Sequence, residues 1–201
     1  MLKIYLIRHG KTQGNLSGKY IGSRTDEPLC EEGIRELKGK TYPQAQILFV
    51  SPMKRCIQTA ELLYPGLEQR KIPLLQECDF GDFENKNYKE LSGNPDYQAW
   101  IDSGGTLPFP GGEDFEEFRS RCRRGFLQCV ETAFSLGSPE TAIVAHGGTI
   151  MSILSAYGRP SRDYFDWQIK NGEYYALTLE EESWKKDRSV VFAEKGLWTD
   201  V

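Results

Sequence analysis

Apolar residues gather in three short runs, and each run stops at a polar turn marked by glycine or proline before a helical pattern begins. The first, Leu2 to Ile7, ends at Arg8-His9-Gly10. The second, Ile47-Leu48-Phe49-Val50, ends at Ser51-Pro52 and leads into a predicted helix from about Met53 to Tyr64. The third, Thr141 to Ala145, ends at His146-Gly147-Gly148 and leads into a predicted helix from Thr149 to Tyr157. Runs that do not alternate with polar positions are buried on both faces, and such strands separated by helices build a mostly parallel sheet covered on both sides. Further strands are predicted at Ile72–Leu75, Glu173–Leu179 and Ser189–Ala193. A long amphipathic helix from Asp114 to about Leu136 follows from Phe115, Phe118, Cys122, Phe126, Cys129 and Ala133, which recur at helical spacing.

Between Cys78 and Gly112 the texture changes to polar and aromatic residues with several glycines and prolines, and short helical pieces are predicted near Tyr88–Leu91 and Pro95–Ile101. The pattern predicts an α/β fold: three layers, α/β/α, around a mostly parallel central sheet, with a small, mainly helical cap inserted at about residues 78–112. A length of 201 residues suits a single domain of this kind over 1–201.

Charge and composition narrow the partners. A net charge of −4 offers no general attraction to nucleic acid or to anionic lipid. No apolar run approaches the roughly 18 residues of a membrane helix. The apolar start, Met1 to Ile7, is too short for a signal sequence with its cleavage site and runs straight into Arg8-His9-Gly10. The expected compartment is the cytoplasm, with no nucleic-acid or membrane partner and with oligomeric state left open. Arg119, Arg121, Arg123 and Arg124 form one basic cluster, but Glu116 and Glu117 lie three and four residues before Arg119 and Arg121, as on a solvated helix face laced with ion pairs. Cys30, Cys56, Cys78, Cys122 and Cys129 are odd in number and form no C-x-x-C pair, so reduced thiols are expected.

The chain has two histidines, and each directly follows an apolar strand and precedes a glycine. In open α/β sheets ligands bind at the carboxyl ends of strands. The second strand end supplies Arg55 a turn into its helix, so Arg8, His9, Arg55 and His146 converge on one sheet edge. Two guanidiniums and an imidazole suit the oxygens of a phosphate, Gly147 and Gly148 leave backbone N–H groups open at a helix N-terminus, and the remaining imidazole can attack phosphorus. Glu77 is the candidate acid for the leaving group, with Asp79, Asp82 and Glu84 as nearby alternatives. The plain readings are that Arg8 and Arg55 are ion-pair partners, His146 a satisfied core histidine and Asn15 a turn cap.

Arg8-His9-Gly10-Lys11-Thr12 with Asn15, Thr25-Asp26-Glu27-Pro28-Leu29, Glu32-Gly33, Ser51-Pro52-Met53-Lys54-Arg55 with Gln58-Thr59-Ala60, Glu77 to Gly81, Pro110-Gly111-Gly112-Glu113 and Ala145-His146-Gly147-Gly148 together resemble the histidine phosphatase superfamily (phosphoglycerate mutase-like). The resemblance implies that His9 is a nucleophile that becomes phosphorylated. It further implies that Arg8, Arg55 and His146 hold the phosphoryl group, that Asn15 lines its pocket with Gly147 beside it, and that Glu77 protonates the leaving oxygen and then activates water. It implies no metal and no cofactor. Lys11, Cys56, Asn85 and Asp114 depart from the usual residues of the family, where Glu or Gln, Ala, Gly and Ser are common.

The expected activity is hydrolysis of a small phosphorylated metabolite, by a phosphatase resembling α-ribazole phosphatases and broad-specificity relatives acting on sugar phosphates or phosphoglycerates. A mutase would need cap cations for a substrate carboxylate, and from Cys78 to Phe118 the basic residues are Lys86 and Lys89 alone. A phosphate-binding module without catalysis would be expected to lack His9 or Glu77. Gly33 to Thr41 ends in Gly-Lys-Thr but has the wrong spacing for a P-loop and follows no strand.

Overall fold

Alternating apolar faces of the central strands are what the helices cover. The computed structural model describes residues 1–188 and 192–196. Six strands form one sheet: β1 (Leu2–Arg8), β2 (Ile47–Val50), β3 (Gln69–Lys71), β4 (Glu140–Ala145), β5 (Tyr174–Leu179) and β6 (Phe192–Lys195), in the order β3-β2-β4-β1-β5-β6. The first four in that order run parallel, while β5 and β6 are antiparallel additions. On one face Leu2, Ile4, Leu6, Phe49, Ile143 and Ala145 pack with α5 (Phe115–Ser135) and α6 (Gly147–Tyr157). On the other, Tyr5, Ile7, Leu48, Val50, Ala142 and Val144 pack with Cys56, Ala60 and Tyr64 of α3 (Lys54–Leu63) and its end. This is the three-layer α/β/α arrangement expected from the apolar runs.

Register decides where the chemistry goes. Arg8 of β1 lies opposite Ala145 of β4, and Val50 of β2 lies opposite Val144. The residues that follow, His9, His146 and Ser51, therefore leave the sheet together at one edge.

The segment 78–112 contains a 3-10 turn at Gly81–Phe83 and α4 (Pro95–Asp102). Phe83, Leu91, Tyr97 and Phe109 belong to the same buried cluster as α5 and α6. Several expectations need correction. The strand expected at Ile72–Leu75 lies earlier, at Gln69–Lys71, and residues 73–75 form a 3-10 turn. Pro73 has no N–H for a ladder, and the polar Gln-Arg-Lys stretch can serve as strand only because it is an edge. Tyr88–Leu91 is turn rather than helix, closing at Gly93 with φ of 82°. Helices α1 (Gln13–Leu16), α2 (Glu31–Lys38) and α7 (Glu181–Asp187) were not predicted; all are short and bury few residues. The strand expected at Ser189–Ala193 is observed as β6 from Phe192, and residues 189–191 lie outside the described residues. No helix among the described residues is long and apolar enough to cross a membrane.

Candidate active site

His9 follows the last residue of β1, and its ring is set by its own loop. Its Nδ1 donates to the carbonyl of Gly10 at 2.7 Å, so the proton sits on Nδ1 and the Nε2 lone pair stays open. Gly10 is held in turn, its N–H donating to Thr59 Oγ1 at 3.0 Å, and a side chain there would collide with Leu37, 2.7 Å from the added carbon. Burial holds the His9 imidazole well below its usual pKa, with the charges of Arg55 and Arg8 acting in the same direction. His9 is therefore neutral at physiological pH.

His146 lies beside it with ring centroids 5.2 Å apart. Arg55 Nε donates to His146 Nδ1 at 3.3 Å, which leaves Nε2 to donate to Ser51 Oγ at 2.7 Å. Arg55 is fully buried, and its two other nitrogens donate to the carbonyls of Thr25 at 2.8 Å and Gly22 at 3.0 Å. Burial and the Arg55 charge keep His146 neutral as well.

Arg8 donates through Nη1 to the carbonyl of Ile169 at 2.6 Å. Its Nε is buried with no acceptor among the described residues. A buried guanidinium N–H without a partner costs about 1–3 kcal/mol, and an anion would satisfy it. Gly147 allows the close approach, because an added carbon would lie 3.3 Å from the Arg8 guanidinium carbon.

Glu77 faces the same space from the irregular segment after β3. Its Oε1 accepts from the N–H of Cys78 at 3.0 Å and its Oε2 from the N–H of Gly148 at 3.0 Å. Burial lifts its carboxyl above the usual carboxylate range, and the two N–H groups with the Arg55 and Arg8 charges offset only part of that. The alternative acids are engaged elsewhere: Asp79 pairs with Arg24 at 2.7 Å, and Glu84 accepts from the N–H of Gly22 at 2.9 Å. Neither these two nor Asp82 lines the cavity.

That cavity is about 260 Å³, with Arg8, His9, Asn15, Glu77, Gly147 and Gly148 at its polar end. Arg55 and His146 sit behind it. The other walls are aromatic: Tyr20, Phe80, Trp100 and Phe109 on one side and Phe115, Tyr164 and Phe165 on the other. Asn15 turns out to cap and to line at once. Its Oδ1 accepts from the N–H of Thr12 at 3.2 Å in a capping box on α1, and it still borders the cavity.

Sequence reasoning missed several contributors. Asn171 donates through Nδ2 to the His9 carbonyl and to Asn15 Oδ1, each at 3.1 Å. Lys19 lines the cavity, and its ammonium donates to Asn85 Oδ1 at 3.3 Å; a cation count confined to residues 78–118 could not include it. Lys86 and Lys89 do not line the cavity. Among the described residues no group of three His, Cys, Asp or Glu side chains could hold a metal ion. The departures from the family pattern have local accounts. Lys11 is bonded to Glu32 and Glu36, each at 2.6 Å. Asn85 adopts φ of 58°, the left-handed region that asparagine tolerates where glycine is common. Asp114 caps α5 by accepting from the N–H groups of Glu116 and Glu117, as a serine would. Cys56 packs with Sγ 3.5 Å from His146 Nε2.

The family model of the histidine phosphatase superfamily (branch 1) matches residues 4–191, and the chain belongs to that superfamily. The adenosylcobalamin/alpha-ribazole phosphatase of Salmonella typhimurium is 29% identical over 189 residues, covering 89% of this chain and 91% of the relative. The crystal structure of the alpha-ribazole phosphatase from Shigella flexneri shares the fold with a TM-score of 0.80 at 24% identity, covering 98% and 95% of the two chains. That of a phosphoglycerate mutase from Thermus thermophilus gives 0.69 at 26% identity, covering 98% and 99%. Membership of the superfamily and these relatives support phosphatase- or mutase-type activity.

Proposed function

We propose that this protein is a metal-independent phosphomonoesterase acting in the cytoplasm on a small phosphorylated metabolite. The observation that carries the reading is the Nδ1 bond of neutral His9 to Gly10, which leaves Nε2 as a nucleophile beside an Arg8 Nε–H with no acceptor among the described residues and a buried Glu77 whose carboxyl is held above the usual carboxylate range. In the first step Nε2 attacks phosphorus and the bond to the ester oxygen breaks, while that oxygen takes the Glu77 proton. In the second step water attacks the phosphohistidine and gives its proton to the Glu77 carboxylate. Inorganic phosphate leaves, and both groups return to their starting state. Arg8 and Arg55 supply the positive field around the equatorial oxygens, and His146, itself held by Arg55 and Ser51, backs them, with Asn15 and the Gly147 turn beside them.

Hydrolysis is favoured over a mutase reaction by the walls. Among the described residues, Lys19 is the one cation apart from Arg8 that borders the cavity, and the remaining surface is largely aromatic, which suits a leaving group with an apolar face better than a carboxylate. A substrate panel of α-ribazole phosphate, sugar phosphates and 3-phosphoglycerate reads this out directly.

The test of the mechanism is brief incubation with a labelled phosphomonoester in EDTA and quenching without acid. Label is expected on His9 and is expected to be lost on acidification. Label that survives acid, persists in His9→Ala, or requires added Mg²⁺ would overturn the mechanism.

A further inference from the structure

Arg121 lies outside the cavity, and the charge pattern of α5 placed it on a solvated face. Arg119 fits that pattern, pairing with Glu116 at 2.9 Å. Arg121 does not. It reaches back to Glu113, just before the helix begins, with Nε on Oε1 and Nη2 on Oε2, each at 2.8 Å. Its remaining donors go to backbone carbonyls of one short segment: Nη1 to Leu74 at 3.0 Å and to Gln76 at 2.9 Å, and Nη2 to Glu77 at 3.3 Å. These five bonds match the five N–H donors of a guanidinium. Glu113 Oε2 adds a bond from the N–H of Asp79 at 3.4 Å. Both partners of the pair are mostly buried, with side chains 18% exposed.

The segment gripped in this way is the one that carries Glu77. It follows β3 but has left the sheet, so its carbonyls have no strand partner and need another donor. The carboxyl of Glu77 is held in front by Cys78 and Gly148, while its backbone is held from behind by Arg121. Charge matters as much as geometry. Facing Glu77 are Arg8 from β1, Arg55 and Cys56 from α3, His9 from the end of β1, and Cys78 from its own segment. Arg121 and Cys122 of α5 and Tyr164 from the Tyr164–Trp167 turn complete the set. Two arginines already favour the ionised carboxylate, and an uncompensated third would favour it further.

We propose that the Arg121–Glu113 pair is a positioning device for the general acid: Arg121 fixes the backbone from which Glu77 projects, and Glu113 cancels the charge that would otherwise ionise it. This rests on the reading of Glu77 given above. It explains why the device is an ion pair rather than a lone arginine.

Three variants test it, with a poor and a good leaving group as probes. Arg121→Met is expected to lose about 10²-fold in kcat/KM on glycerol 3-phosphate, whose alkoxide needs the proton, and less than about 5-fold in the p-nitrophenyl phosphate burst. Glu113→Gln keeps an acceptor for Arg121 and removes the compensating charge. The alkaline limb of its pH profile on glycerol 3-phosphate is expected to move down by about one pH unit, with the p-nitrophenyl phosphate profile unmoved. Equal loss on both substrates in Arg121→Met, or an unmoved limb in Glu113→Gln, overturns the proposal. If Arg121→Met does not fold, Glu113→Gln decides alone. Glu77→Gln serves as the reference: if it shows no leaving-group dependence, the reading of the acid fails; if it does and the other two do not, only the positioning role falls.

Discussion

The two ends of the cavity are built by opposite means. At the strand end nearly every donor and acceptor has an assigned partner: His9 on Gly10, His146 on Ser51 and Arg55, Arg55 on Thr25 and Gly22, Glu77 on Cys78 and Gly148. At the cap end the walls are rings in edge contact, such as Phe80 on Phe109 at 5.1 Å and Phe115 on Tyr164 at 5.1 Å, with Lys19 the one cation among the described residues. A hydrogen-bonded network tolerates no displacement without leaving a buried group unpaired, whereas ring contacts reshape at small cost. The strand end can therefore keep one chemistry while the cap end changes substrates.

The difference breaks most sharply at Arg55. Arg55→Ala is expected to lose about 10³-fold on p-nitrophenyl and alkyl phosphates alike, because both share the phosphoryl group; thermal melting separates this from unfolding. A loss confined to one substrate would mean that Arg55 reads the leaving group instead. Glu77→Gln should split the two, losing about 10²–10⁴-fold on an alkyl phosphate and much less in the p-nitrophenyl phosphate burst. If Asp79→Asn or Asp82→Asn shows that split instead, the acid is one of those aspartates.

The pH profile sharpens the same contrast with a smaller effect. His9 must be neutral, and its pKa is lowered by burial, so activity falls only as pH drops through a value well below that of ordinary imidazole. Glu77 must be protonated, and its pKa is raised by burial, so activity on alkyl phosphates falls as pH rises through a value above the ordinary carboxylate range. The alkaline limb is expected to weaken in p-nitrophenyl phosphate bursts; a limb equally steep for both substrates assigns it to another group. At the cap end Trp100→Ala should change KM for a ring-bearing phosphate by about 3–10-fold with little change in kcat, and a larger fall in kcat would place Trp100 in the chemistry.

Legibility in the sequence follows the same division. His9 and His146 were visible because apolar runs end at them, and the sheet register then carries both to one edge. Glu77 lines the cavity although the strand expected to precede it lies three residues earlier, at Gln69–Lys71. Arg121 was misplaced because helical spacing to Glu117 suggested a surface pair, while its true partner is Glu113. The carbonyls of Gly22, Thr25 and Ile169 that accept from Arg55 and Arg8 left no trace, since contacts made through backbone atoms of distant residues have no residue-type signature. Whether the cap aromatics form a small core or border a cavity is not decided by the sequence, because a ring that packs on one face and lines a space on the other has the same sequence pattern.

Asn171 ties synthesis to competence. Its amide closes on the His9 carbonyl 162 residues away, and the Ile169 carbonyl anchors Arg8 across 161. β5, which follows, covers the edge of β1 from Leu2 to Ile7. A nascent chain on the ribosome that has exposed both histidines and Glu77 still has one side of its first strand bare and the Arg8-His9 turn untethered. The candidate site residues are translated early, but the segment that ties Arg8 and His9 closes only when residues 169–179 have emerged, so truncation after α6 yields a chain with all of those residues and an open strand edge prone to pairing with its neighbours.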